Sequence, residues 1–166
     1  MFNLVLLAPE IPSNTGNIVR TCAATGCSLH LIRPLGFDTS DRELKRAGLD
    51  YWHFVDITIY DSLEDFYVKC RPKRCWYTST KAARRYTDVS YEPGDYIFFG
   101  RETRGLPEEL ILKNLDHAIR IPMGGEIRSL NLSNSAAIVL FEALRQHDFT
   151  GLQDEGKFGG NYGQTR

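Results

Sequence analysis

The chain has 166 residues and a mass of 18.9 kDa, with 42% apolar and 25% charged residues. That size suits one domain with its own core, and that balance excludes a disordered chain, collagen and a coiled coil. Twenty Lys and Arg against 21 Asp and Glu give a formal net charge of −1, which argues against a uniformly basic nucleic-acid binder.

In chain order, residues 2–8 are an apolar run ended by Pro9 and read as a buried strand. A signal peptide would need a basic start and a longer apolar stretch, and a membrane span about 20 apolar residues, so a cytoplasmic protein without membrane contact is expected. Asn14 or Thr15 is expected to cap a helix that carries Ile18, Val19, Cys22 and Ala23 and ends at Gly26. Leu29–Ile32 predicts a strand stopped by Pro34, and Asp41–Ala47 a charged helix. His53–Ile59 is strand-like, and Asp61 or Ser62 caps a helix that reaches about Cys70. Cys75–Ser79, Tyr96–Phe99 and Ala118–Ile121 predict further strands. A helix opens near Pro107, and another runs from about Ser133 to His147. Alternating strands and helices predict an α/β domain over residues 1–149 with a mostly parallel sheet. Residues 150–166, with five glycines, are expected to form a flexible tail.

The four cysteines, Cys22, Cys27, Cys70 and Cys75, stand in pairs separated by four residues, not at C-x-x-C spacing. Reduced core thiols and no metal are expected.

Three polar loops exceed what turns and caps require. The first is Pro12–Asn17, followed by Arg20, just after the first strand. The second is Phe98–Pro107, where two glycines bracket Arg101, Glu102 and Arg104. The third is Ile121–Ser135, which supplies Ser129, Asn131, Ser133 and Asn134 before a helix. The glycine fingerprint G-x-G-x-x-G is absent, so the common dinucleotide loop is not present. All three loops can lie at one edge of a parallel sheet, where α/β proteins bind ligands.

N-x-G-N-x-x-R at 14–20, F-G-R-E-T-R-G-L-P at 99–107, and I-P-M followed by S-L-N-L-S-N at 121–134 resemble the three motifs of SPOUT RNA methyltransferases. The opening L-A-P-E-I-P-S-N-T-G-N and R-A-G-L-D-Y at 46–51 are most similar to the TrmL (YibK-like) branch. The resemblance spans about residues 1–148. It implies a C-terminal trefoil knot, which general chain rules would not suggest. It also implies a homodimer, S-adenosylmethionine as methyl donor, and transfer to the ribose 2′-oxygen of the wobble cytidine or uridine in the anticodon loop of tRNA. By match to the motifs, Arg20, Asn14, Glu102, Ser129 and Asn131 are the catalytic candidates. Arg20 falls at the attacking hydroxyl, with Asn14 expected to orient it and Glu102 to fix it or the loops. Thr78, Gly100, Ile121, Ser129 and Leu130 are the cofactor-binding candidates, with Thr78 acting through its backbone. Where relatives often carry Tyr, this chain has Phe141.

RNA needs cations. Residues 66–87 hold Lys69, Arg71, Lys73, Arg74, Lys81, Arg84 and Arg85 and no acid; the other 144 residues hold 13 cations against 21 acids, a net of −8. Trp76 among them is expected in the core. A second basic cluster is Arg42, Lys45 and Arg46, with Lys45 and Arg46 the chosen RNA-binding candidates. The alternatives are 2′-O-methylation at another tRNA or rRNA position, a non-catalytic RNA-binding protein of the same fold, and a small nucleotide-binding α/β domain.

Overall fold

The structure is a computed structural model that describes residues 1–38, 49–153, 155 and 156. The expected helix at Asp41–Ala47 and the candidates Lys45 and Arg46 lie outside the described residues, as do residues 157–166.

The strands are β1 (Asn3–Leu7), β2 (Ser28–Ile32), β3 (Ile57–Tyr60), β4 (Cys75–Thr78), β5 (Arg84–Arg85), β6 (Tyr96–Phe99) and β7 (Ala118–Arg120). The helices are α1 (Pro12–Thr25), α2 (Leu63–Cys70), α3 (Glu108–Leu112) and α4 (Leu132–Arg145), with 3-10 turns at Leu49–Phe54 and Leu115–His117. All strand pairs are parallel, in the order β3-β2-β1-β6-β4-β7-β5. The chain moves outward from β1 to β3, crosses to β4 and the edge strand β5 on β1's other side, then returns to β6 between β1 and β4 and ends at β7. That reversal opens a crevice at the carboxyl ends of the central strands.

β1 lies between β2 and β6, which explains its unbroken apolar sequence. Leu4 and Leu6 face a core packed under α1 and α4; Val5 faces a second core with α2 and α3. In the second core Phe66, fully buried, meets Tyr60, Tyr96 and Phe98 edge-on at 5.2–5.6 Å. Such pairs add to the burial of the rings themselves.

Several boundaries differ from the sequence reading, each for a physical reason. α1 starts at Pro12, whose ring is already set for a first helical turn. Its N-cap Ile11 offers no side-chain acceptor. Asn14 lies inside the first turn, and Thr15 is buried with its hydroxyl unpartnered among the described residues, so neither caps the helix. His53–Asp56 belongs to a 3-10 turn and its exit, and the strand begins at Ile57. β5 is two exposed arginines whose sequence carries no strand pattern; pairing with β7 alone makes it a strand. Ser62 does cap α2, its Oγ accepting from Asp65 N at 3.1 Å. Gly26 ends α1 at φ 66°, a conformation that suits glycine.

Trp76 is core, 5% exposed, and donates from Nε1 to Asp95 at 2.9 Å. Asp95 also holds Arg74 through two bonds of 2.8 Å and accepts from Glu92 N. This buried carboxylate holds the Arg74 guanidinium charged, raising its pKa above the usual arginine value.

Candidate functional site

A cavity of about 980 Å³ opens at the carboxyl ends of β1, β6, β4 and β7. The walls include Thr78 from β4, Gly100 after β6, Ile121 after β7, and Ser129 and Leu130 before α4. All five cofactor candidates are therefore together, although 52 residues separate Thr78 from Leu130 along the chain. Asn14, Glu102 and Asn131 line the same space.

One hydrogen-bond chain ties the three loops. Glu102 Oε2 accepts from Glu10 N at 2.8 Å, and its Oε1 accepts from Ile11 N and Asn14 Nδ2, both at 3.1 Å. The carboxylate thus supplies the negative charge that the first turn of α1 lacks. Asn14 Oδ1 accepts from Asn131 Nδ2 at 2.9 Å. Asn131 Oδ1 in turn caps α4, accepting from Ser133 N at 2.9 Å and Asn134 N at 3.3 Å. Glu10 answers Glu102 from the other side: its carboxylate accepts from Thr103 N at 3.1 Å and Thr103 Oγ1 at 2.8 Å. Each loop therefore holds the next by charge-assisted or amide bonds.

Gly100 is required by close approach. A Cβ there would lie 2.0 Å from the carbonyl carbon of Gly105 and 2.1 Å from Leu106 N. The chain doubles back tightly, with Arg101 N and Gly105 N each donating to the other's carbonyl at 3.1 and 2.8 Å. Thr78 does more than lend its backbone: its Oγ1 donates to Phe98 O at 2.8 Å and ties β4 to β6.

Arg20 does not line the cavity. It lies six residues beyond Asn14 on α1, about 9 Å along the axis and about 120° around it. Both polar ends of Asn14 are engaged elsewhere, so Asn14 does not orient Arg20. Instead the exposed Arg20 guanidinium sits over the Tyr51 ring, 5.2 Å from its centre. Glu10 and Tyr51 are supporting residues that stand in the quoted stretches but not among the site candidates. Glu10 was adjacent to the first motif, whereas Tyr51's pairing with Arg20 had no local signal.

Among the described residues no group of three or more His, Cys, Asp or Glu is placed to hold a metal, and no helix is long and apolar enough to cross a membrane. All four cysteines are free; burial drives the Cys22 thiol far above its ordinary pKa and Cys75 up to about 11, so neither is a ready thiolate at neutral pH.

The SpoU rRNA methylase family model matches residues 1–141. A Geobacillus stearothermophilus protein named as a candidate tRNA (cytidine(34)-2′-O)-methyltransferase is 55% identical over 153 residues, 90% of this chain and 98% of that one. A solved structure described as giving insights into 2-OH methylation of C/U34 on tRNA is 45% identical, covers 89% of this chain and 97% of its own, and superposes with a TM-score of 0.85. An AdoMet-bound rRNA methyltransferase from Sinorhizobium meliloti is 29% identical with a TM-score of 0.78, covering 87% of this chain and 56% of its own. The chain belongs to the SpoU rRNA methylase family.

Proposed function

We propose that this protein is a tRNA 2′-O-methyltransferase acting on the wobble cytidine or uridine, with S-adenosylmethionine as donor. The observation that carries the reading is the gathering of seven residues of the three motifs, with Thr78, around one cavity at the carboxyl edge of the sheet. The 45% identical structure concerned with C/U34 on tRNA supports the substrate. A tRNA substrate fits the cytoplasm.

The cavity suits the cofactor. Ile121 and Leu130 line the cavity and would give apolar cover to a planar base, and the loop backbone at Gly100 and Ser129 would offer polar groups to it. When bound, S-adenosylmethionine supplies a methyl group already activated by a sulfonium. The remaining work of the protein is alignment and management of one hydroxyl proton. Asn14, Glu102 and Asn131 hold the loops in register. A guanidinium is a poor base because it keeps its proton in proteins, so the role of Arg20 is to hold a phosphate or stabilise the developing alkoxide.

Arg20 stands outside the cavity of its own subunit, which supports a homodimer in which the site is completed across the interface. Exposed Ile138 and Phe141 on α4, with the Phe149 ring tilted against Phe141 at 6.5 Å, offer an apolar face for that contact. The trefoil knot belongs to the same reading.

The test is labelled methyl transfer from S-adenosylmethionine to total tRNA, with mapping of the product nucleotide. A 2′-O-methyl at nucleotide 34, lost by about 100-fold or more in Arg20→Ala, is expected. Methyl on a base, or no transfer by the wild type, overturns the reading.

A further inference from the structure

Charge around the cavity is unbalanced. Arg33, Lys81, Arg101, Arg104 and Arg128 line it against Glu102 and Glu108, an excess of three positive charges. Arg33 pairs with Asp61 at 3.5 Å and Lys81 with Glu108 at 3.1 Å, while Glu102 is engaged by the N–H donors of the first loop. Arg101, Arg104 and Arg128 are left, all exposed and without an ion pair among the described residues. Two of them stand on a stiff mount. The backbone bonds between Arg101 and Gly105 and the Glu10–Thr103 contacts hold that loop from both sides. Arg128 comes from the third loop, immediately before Ser129.

This excess is not matched to the cofactor. S-adenosylmethionine carries a sulfonium and an ammonium against one carboxylate, so at neutral pH it is itself a net cation. The complementary ligand is a polyanion. The segment that looked most basic in the sequence is less available than it seemed from charge alone. Lys69, Arg74, Lys81 and Arg85 are neutralised by Asp65, Asp95, Glu108 and Asp88, and Arg84 donates to the Asp116 carbonyl.

We propose that Arg101, Arg104 and Arg128 bind backbone phosphates of RNA at the cavity mouth, on either side of the nucleotide whose ribose is methylated. The proposal rests on the RNA-methyltransferase reading above. A guanidinium fork matches a phosphate in two-point geometry, and such contacts position a strand without reading its sequence. The three arginines therefore set the path of the strand across the cavity, and base recognition falls to other groups.

The test is the salt dependence of binding to an anticodon stem-loop RNA, followed by fluorescence anisotropy. Each of Arg101→Gln, Arg104→Gln and Arg128→Gln is expected to weaken binding and to reduce the slope of log K against log salt by about 0.7–0.9, and the triple variant by about 2–2.7. Replacement by Lys keeps the slope. Lys69→Gln and Arg85→Gln, at paired positions, leave it unchanged. Calorimetric affinity for S-adenosylmethionine stays within about twofold in the triple variant, which also shows that it is folded.

An unchanged slope in the triple variant overturns the proposal, as does lost cofactor affinity with an unchanged slope, which would assign the arginines to the cofactor carboxylate. Equal slope losses in the Lys69 and Arg85 variants overturn it too. A wild type that binds the stem-loop but transfers no methyl refutes the methyltransferase reading alone, and the slopes still decide the arginines. A wild type that binds no RNA overturns the proposal directly.

Discussion

Asn14 accepts at one end of its amide and donates at the other, to Asn131 and Glu102 respectively. No hydrophobic or charged residue of that size can do both, which is why an amide stands there. Glu102 is equally specific, with three N–H donors on one carboxylate. Glu102→Ala leaves those donors without their acceptor at the edge of the cavity. It is expected to cost about 1–3 kcal/mol of stability and to weaken S-adenosylmethionine binding, both readable in thermal unfolding with and without the cofactor. Retention of both would remove Glu102 from the site. The identity of Asn14, Glu102 and Asn131 as site residues was legible in their motifs. Their partners were not, because Asn14 and Asn131 are 117 positions apart and meet only where two loops converge.

At the scale of elements, the loop between β6 and α3 depends on the absence of a side chain at Gly100. Both atoms that a Cβ would strike belong to the backbone, so neither can swing aside. Gly100→Ala must shift the whole Arg101–Gly105 turn. It is expected to weaken cofactor binding by at least tenfold, about 1.4 kcal/mol, measured by calorimetry, while the core strands remain folded. β1 and α4 were readable because burial writes itself into the sequence, as an unbroken apolar run in a strand covered on both faces and as an apolar stripe on a helix. β5 was not, since two exposed arginines have no burial to record. The start of α1 was not readable because the carboxylate that holds the chain entering it, Glu102, lies on a different loop. A local sequence window holds no trace of such an acceptor.

At the scale of the whole molecule, the buried His30 couples stability to pH. Its ring nitrogens meet Tyr60 Oη at 2.9 Å and Asn3 Oδ1 at 3.4 Å, and burial pushes its pKa down to about 4, with Asp56 opposing. Between about 4 and the unfolded value near 6.5 the unfolded chain binds more protons than the folded one, so stability rises with pH in that window and is lost as pH falls through it. The expected loss between pH 7 and 4 is on the order of 3 kcal/mol, read by denaturant unfolding. His30→Gln should flatten that part of the profile; an unchanged slope would assign it to other groups. Charge shows the same dependence on the assembled fold. The seven cations of residues 66–87 are a fact of sequence, but four of them meet acids from outside that segment. By itself the sequence determined the α/β class, the parallel sheet and the three loops that carry the chemistry, because these depend on local periodicity and local motifs. Only the tertiary structure decided that Glu102 holds the chain entering α1, that Arg20 rests on Tyr51 outside the cavity, and which arginines are left for a polyanion. Those outcomes depend on distances between residues far apart in the chain, which folding sets and no local pattern encodes.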